Sequence, residues 1–331
     1  MNEVRCLFVA VETGAAAYLE PLWRRWLNRK VAGWNIVGAA AARRFIAQNG
    51  LDALPLLPHE PESVSEIAAM LPEPRPEIIL LSASSSALER LFIAYARQSQ
   101  TPILQFIDTW YNYRERFEHA DGVHWPDRVL VVNKNAAREA IAAGVPRDLV
   151  FVAGQPAWEL TERLPPANPS HVLFVDQPVA ALYGTRLGYS ENEAWSLVQH
   201  AANLRPDLIE HLVYCPHPGH APGATLPLEG INVVTNGSAA LEEFGTVTGM
   251  FASLLTNALL AGRHVISVQP DAKATDMCGL SRFGHLRRVT SIDELIQELE
   301  QPSFNDRIDQ LSKEFEGSCD QLERAVTEAI A

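Results

Sequence analysis

The sequence predicts an α/β protein built from two doubly wound, mainly parallel sheets. Three observations carry this expectation. Short apolar runs of strand length alternate with helical stretches through the first half, and the same alternation restarts in the second half. Between them lies Leu164-Pro165-Pro166-Ala167-Asn168-Pro169, a proline-rich stretch without helical or strand periodicity. Strands joined through helices pair in parallel and are covered on both faces, so they read as continuous apolar runs.

The elements follow in order. Residues 4–11 are predicted as a strand that turns at Thr13-Gly14 into a helix over 15–27. A second strand is expected over 35–38, then a helix over 39–48 stopped by Asn49-Gly50, then a short third strand over 53–57. Residues 77–82 form a fourth strand, and Ser84-Ser85-Ser86 cap a helix over 87–97. A fifth strand over 102–107 delivers Asp108 to its carboxyl end, and a sixth covers 127–133. A helix over 135–143 closes at Gly144, and a seventh strand over 149–153 enters Gly154-Gln155-Pro156. The expected division is a first domain over 1–163, a linker over 164–170 and a second domain over 171–331.

The second half is expected to supply strands over 171–176, 212–215, 231–234 and 265–268, with helices over 191–203 and 239–244. Residues 291–331 read as helical, starting at Ser291-Ile292-Asp293-Glu294, and their later part keeps the spacing to pack back on the first domain.

With 331 residues, 47% of them hydrophobic, the chain can bury two cores of ordinary domain size. A net charge of −13 argues against a general nucleic-acid binder, which needs a basic face. Cys6, Cys215, Cys278 and Cys319 are scattered and form no Cys-x-x-Cys pair, so neither a disulfide framework nor a zinc site is expected, and the cytosol is the simplest address. The apolar stretches are strand-sized, which predicts no integral membrane segment and leaves peripheral association open. Thr13-Gly14-Ala15 lacks the further glycines of a dinucleotide fingerprint, and neither a P-loop nor a Gly-x-Ser-x-Gly elbow occurs.

Candidate chemistry collects at strand carboxyl ends, where open α/β sheets bind ligands. Asp108 opens the loop Asp108-Thr109-Trp110-Tyr111-Asn112-Tyr113-Arg114-Glu115-Arg116-Phe117 and reads as a general base or as a turn cap. His124 and Glu12 are alternative bases. Arg114 and Arg116 are expected to clamp a carboxylate or phosphate, or to pair with Glu115 and Glu118. Trp110, Tyr111 and Tyr113 form either a sugar platform or a packed lid, and Ser84 is a candidate acceptor contact. In the second half, Cys215-Pro216-His217-Pro218-Gly219-His220 places His217 on a loop stiffened by two prolines, a seat beside a phosphate. Thr248-Gly249-Met250-Phe251-Ala252-Ser253 then opens a helix whose free N–H groups suit a diphosphate, with Ser253 also readable as an ordinary N-cap.

The order of these motifs resembles the GT-B architecture of glycosyltransferases and the UDP-N-acetylglucosamine 2-epimerase group. Phe151-Val152-Ala153-Gly154-Gln155-Pro156 stands where that superfamily closes its first domain with a small-x-Pro pattern, and His217-Pro218 and Gly249 to Ser253 stand at its second-domain loops. Leu173-Phe174-Val175-Asp176-Gln177-Pro178 is similar to the second-domain opening of bacterial capsule, lipopolysaccharide and sialic-acid-type transferases. The epimerase group's Ser-Gly-Gly-x-x-Glu-Glu turn is absent, with Asn257 four residues after Ser253. The resemblance implies two Rossmann-like domains facing across a cleft, and a cytoplasmic glycosyltransferase of polysaccharide biosynthesis. Asp108 and His217 would be catalytic, with Glu12, Ser84, Trp110, Arg114 and Arg116 on the acceptor. His217, Pro218, Gln177, Gly249, Met250 and Ser253 would hold a nucleotide sugar, and the acceptor would be a glycan or other hydroxyl compound. No metal and no cofactor are expected. An epimerase, a nucleotide-sugar hydrolase or a non-catalytic binding protein of the same fold are the alternatives.

Overall fold

The computed structural model describes residues 4–84, 86–119, 122–217, 231–271, 273, 276–301 and 307–330. The chain divides into two compact units, one of residues 1–160 and 314–331, the other of residues 161–313. The boundary falls just before the proline-rich stretch, and the chain's last helix counts with the first unit.

In chain order the strands are β1 (Cys6–Ala10), β2 (Asn35–Gly38), β3 (Ile78–Ser82), β4 (Ile103–Ile107), β5 (Glu118–His119), β6 (Gly122–Val123), β7 (Arg128–Val131) and β8 (Val150–Val152) in the first unit. The second unit holds β9 (His171–Val175), β10 (His211–Cys215), β11 (Asn232–Val233), β12 (Thr246–Gly249), β13 (His264–Val268) and β14 (Arg287–Val289).

The first sheet runs β2-β1-β3-β4-β7-β8, all parallel, while β5 and β6 form a separate antiparallel hairpin. Residues 53–57, expected as a strand, contribute only the single parallel bridge Ile36↔Leu56. Strand order therefore reverses between β1 and β3. Side chains of β1 divide by parity, as a pleated strand requires. Cys6, Phe8 and Ala10 join one core with Tyr18, Leu22, Trp23 and Trp26 of the helix Thr13–Asn28, whereas Leu7 and Val9 join the opposite core with Ile67, Phe92 and Ile93. Both faces are covered, which explains the unbroken apolar runs.

The helix Ser318–Glu328 adds Cys319, Leu322, Ala325 and Val326 to the Trp23 and Trp26 core. Its start is held from the short helix Pro156–Glu159 and its N-cap Gln155. Glu159 accepts hydrogen bonds from the Gly317 and Cys319 N–H groups at 2.7 and 2.8 Å, a carboxylate on free donors of a helix start. Ser318 Oγ accepts from the Gln155 N–H at 3.0 Å. Gly154 has φ of +80°, and a Cβ there would lie 2.1 Å from Ser318 Oγ, so both conformation and space demand glycine.

The second sheet runs β11-β10-β9-β12-β13-β14, again parallel. Order reverses between β9 and β12, which sets that crevice at the carboxyl ends of Val175 and Gly249. Phe174, Trp195 and Tyr214 pack together on one face, with Phe174 and Tyr214 stacked at 5.6 Å. The helix Glu191–Leu204 starts at a capping box in which Ser190 and Glu193 exchange hydrogen bonds. The short helix expected over 239–244 is Gly237–Ala240 instead, because Asn236 caps it early by accepting from the Ala239 N–H. Among the described residues no helix is long and apolar enough to cross a membrane.

Candidate functional site

The carboxyl edge of the first sheet gathers charge. Glu12 follows β1 as the residue that precedes the helix Thr13–Asn28, Ser84 follows β3, and Asp108 follows β4. Asp108 lies against the start of that helix, since a Cβ built on Gly14 would meet Asp108 Oδ2 at 2.9 Å. Arg116 Nη1 stands 4.0 Å from Asp108 Oδ1.

Arg116 is fixed by the loop itself. It donates to the Ala83 carbonyl at 3.1 Å, to Thr109 Oγ1 at 2.9 Å and to the Tyr111 carbonyl at 3.4 Å, and its guanidinium lies over the Tyr111 ring. The planar fork therefore ties the exits of β3 and β4 together and presents a fixed cation beside Asp108. Arg114 differs: it pairs with Glu118 at 2.9 Å on the exposed surface, the surface-pair alternative for that residue.

A third carboxylate, which the sequence reading passed over, sits beneath. Glu89 is fully buried and accepts from the Ser84 N–H at 2.8 Å and from the Ser82 hydroxyl. Burial raises its pKa above the ordinary carboxylate range, against those hydrogen bonds. The signal was the Ser-x-x-Glu spacing from Ser86, whose hydroxyl caps the helix Ala87–Ser99. Glu12 is also pushed up, first by desolvation and then by the Asp108 charge, with Arg116 opposing. Tyr18 stacks on Phe106 at 4.2 Å, and burial together with Asp108 holds its phenol neutral.

Trp110 is not part of an open platform. Its ring is buried, stacks on Trp158 at 4.7 Å and donates to Asn133 Oδ1 at 3.2 Å. Tyr113 is likewise buried, donating to Glu139 at 2.8 Å. The loop's aromatic residues thus hold the loop down, as the packed reading requires. His124 is hydrogen-bonded with Arg97 at 2.7 Å.

The carboxyl edge of the second sheet has a different character. Gly249 ends β12, and a Cβ there would lie 2.6 Å from the Val175 carbonyl oxygen, so this glycine lets β9 and β12 approach. Met250 is fully buried, with its carbonyl accepting from Ser267 Oγ at 2.5 Å, so its side chain belongs to the core. Ser253 is exposed and is the first residue of the helix Ser253–Leu260. It is not the N-cap: Ala252 holds that position and has no side-chain acceptor.

Gln177 follows β9 by two residues and is 4% exposed. Its neighbour Asp176 is fully buried beside Tyr214, whose phenol burial and Asp176 push up. His217 is half-buried, two residues after β10, and Pro218 lies outside the described residues. The structure thus groups Glu12, Ser84, Asp108 and Arg116 in one unit, and Gln177, Gly249 and Ser253 at the strand ends of the other. Among the described residues no group of three or more His, Cys, Asp or Glu side chains could hold a metal ion.

The chain shares its fold with a glycosyltransferase and with UDP-GlcNAc 2-epimerases of known structure. A crystal structure of the glycosyltransferase of kitacinnamycin superposes with a TM-score of 0.65 at 16% identity, covering 100% of each chain. The UDP-GlcNAc 2-epimerase from Neisseria meningitidis, bound to UDP-GlcNAc, gives 0.68 at 10% identity over 98% of this chain and 99% of that one. The Methanocaldococcus jannaschii UDP-GlcNAc 2-epimerase, in complex with UDP-GlcNAc and UDP, gives 0.65 at 10% identity over the same shares. No protein-family model and no curated protein sequence matches the chain.

Proposed function

We propose that the protein is a GT-B-type glycosyltransferase that moves a sugar from a nucleotide-activated donor to a hydroxyl acceptor. The observation that carries this reading is the Asp108 carboxylate, set at the end of β4 against the start of a helix, with the fixed Arg116 cation 4.0 Å away. Such a group can take the acceptor's hydroxyl proton while the acceptor oxygen attacks the anomeric carbon and the bond to the nucleotide phosphate breaks. The phosphate leaves with that electron pair. In the second unit the helix Ser253–Leu260 supports the reading separately, because its start lacks a side-chain cap and its N–H groups suit an anion. His217 would assist there, and the reaction would not depend on a divalent metal. The fold shared with enzymes of nucleotide sugars is consistent with this assignment.

A second reading rests on Glu12. Glu12, whose proton affinity burial raises, stands at one edge with Asp108, and such a pair can act as acid and base on the donor itself, as an epimerase or hydrolase would. Incubation with UDP-GlcNAc, CMP-, GDP- and dTDP-sugars, with and without glycan acceptors, separates the two. Turnover only with acceptor supports transfer; consumption of donor alone supports the second reading; no turnover with any donor refutes both.

A further inference from the structure

The side-chain carbonyl oxygen of Gln177 is buried without a hydrogen-bond partner, in a residue that is 4% exposed. A buried amide oxygen left unsatisfied is costly, and folded proteins rarely keep one without a reason. Its place is informative. Gln177 leaves the carboxyl end of β9, the strand beside which the second sheet reverses its order, and Val175 of that strand is the residue Gly249 approaches. Doubly wound sheets take ligands at this point.

The chemistry of the missing partner is constrained. An acceptor needs a donor, and the phosphate oxygens of a nucleotide offer acceptors only. Donors on a nucleotide are its ribose hydroxyls and base N–H groups, and only the hydroxyls keep one position whichever base is carried. We propose that Gln177 is a nucleotide-binding residue whose amide oxygen accepts a hydrogen bond from a ribose hydroxyl. This rests on the nucleotide-sugar reading given above. It adds to that reading a neutral contact for the sugar of the nucleotide beside the anion-binding helix start. In the unliganded protein the unsatisfied amide is then a stability cost kept for binding.

Calorimetric titration of the full-length protein with UDP, CDP and GDP, each beside its 2′,3′-dideoxy counterpart, tests this in wild type and Gln177→Leu. For whichever diphosphate binds wild type, the expected loss in Gln177→Leu is about tenfold, the scale of one neutral hydrogen bond. The preference of wild type for the ribose form should vanish in the variant. The unliganded variant should melt at or above the wild-type temperature, since it loses an unsatisfied buried group; Gln177→Met serves in its place if Gln177→Leu does not fold. Equal affinity of wild type and variant means that an internal water alone meets the amide, and overturns the assignment. So does an equal ribose preference in both proteins, or a melting temperature lowered by about 5 °C or more, which would place the partner within the protein. Failure of all three diphosphates, and of CMP and dTDP, to bind wild type refutes the nucleotide-sugar reading itself.

Discussion

The two sheets have the same parallel construction and nearly the same strand order, yet their carboxyl edges differ in kind. The first carries Glu12 and Asp108 beside one fixed arginine, with Glu89 buried against Ser82 and Ser84, and both glutamates are pushed toward holding a proton. The second carries a glycine that permits close strand approach, an uncapped helix start and a buried neutral amide. Charged groups of shifted proton affinity suit proton transfer, whereas backbone donors and amides suit holding a nucleotide without changing its protonation. Under the proposed function the difference is a division of labour: chemistry on the first unit, recognition on the second.

The sharpest way to break that division is Asp108→Asn. Turnover is expected to fall by about 10²–10⁴-fold, the range for loss of a general base, while nucleotide affinity measured by calorimetry stays unchanged. Gly14→Ala probes the same group sterically. Its Cβ would press on Asp108 Oδ2 from 2.9 Å, so activity should fall about tenfold or more while the melting temperature holds or rises, as alanine suits a helix better than glycine. Unchanged activity there would show that Asp108 has freedom to move without consequence.

Ser253→Asp tests the other unit. A negative charge at the first position of the helix favours the helix dipole but repels a phosphate, so the expected result is a melting temperature equal or higher and UDP, CDP or GDP binding weakened about tenfold. Gly154→Ala concerns the scaffold. The αL backbone costs a side chain about 1–2 kcal/mol, and the overlap with Ser318 adds to it, so differential scanning calorimetry should show a melting temperature lower by about 5–10 °C.

The smallest effect belongs to Glu12→Gln. The folded protein holds the Glu12 proton above the ordinary value of 4.5, so the native state binds more protons than the unfolded one as pH rises through that range. Wild-type stability attributable to Glu12 is thus fullest at acid pH and falls as pH rises through the raised pKa. The variant should match wild type near pH 4 and be the more stable at pH 8 in denaturant titrations.

The fold was largely legible in the sequence because parallel strands covered on both faces leave uninterrupted apolar runs such as Val172 to Val175. Short edge pieces were not. Residues 53–57 have the composition of a strand but form one bridge, and Asn236 starts its helix before the expected residue. The positions of Asp108, Glu12 and Ser253 were readable, since strand ends and helix starts fix them locally. The direction of Trp110 was not, because it depends on Trp158 and Asn133, which are distant in sequence. Glu89 was passed over, and the hydrogen-bond partners of Arg116 were not readable, for the same reason: those partners lie on neighbouring strand exits that only the folded sheet brings together.

The division of labour is tested most directly by calorimetric titration of UDP, CDP and GDP against wild type and Asp108→Asn in parallel. The expected result is a diphosphate that binds both proteins with equal affinity, with turnover lost only in the variant. Binding that disappears together with Asp108, or a variant that still turns over at the wild-type rate, would contradict it.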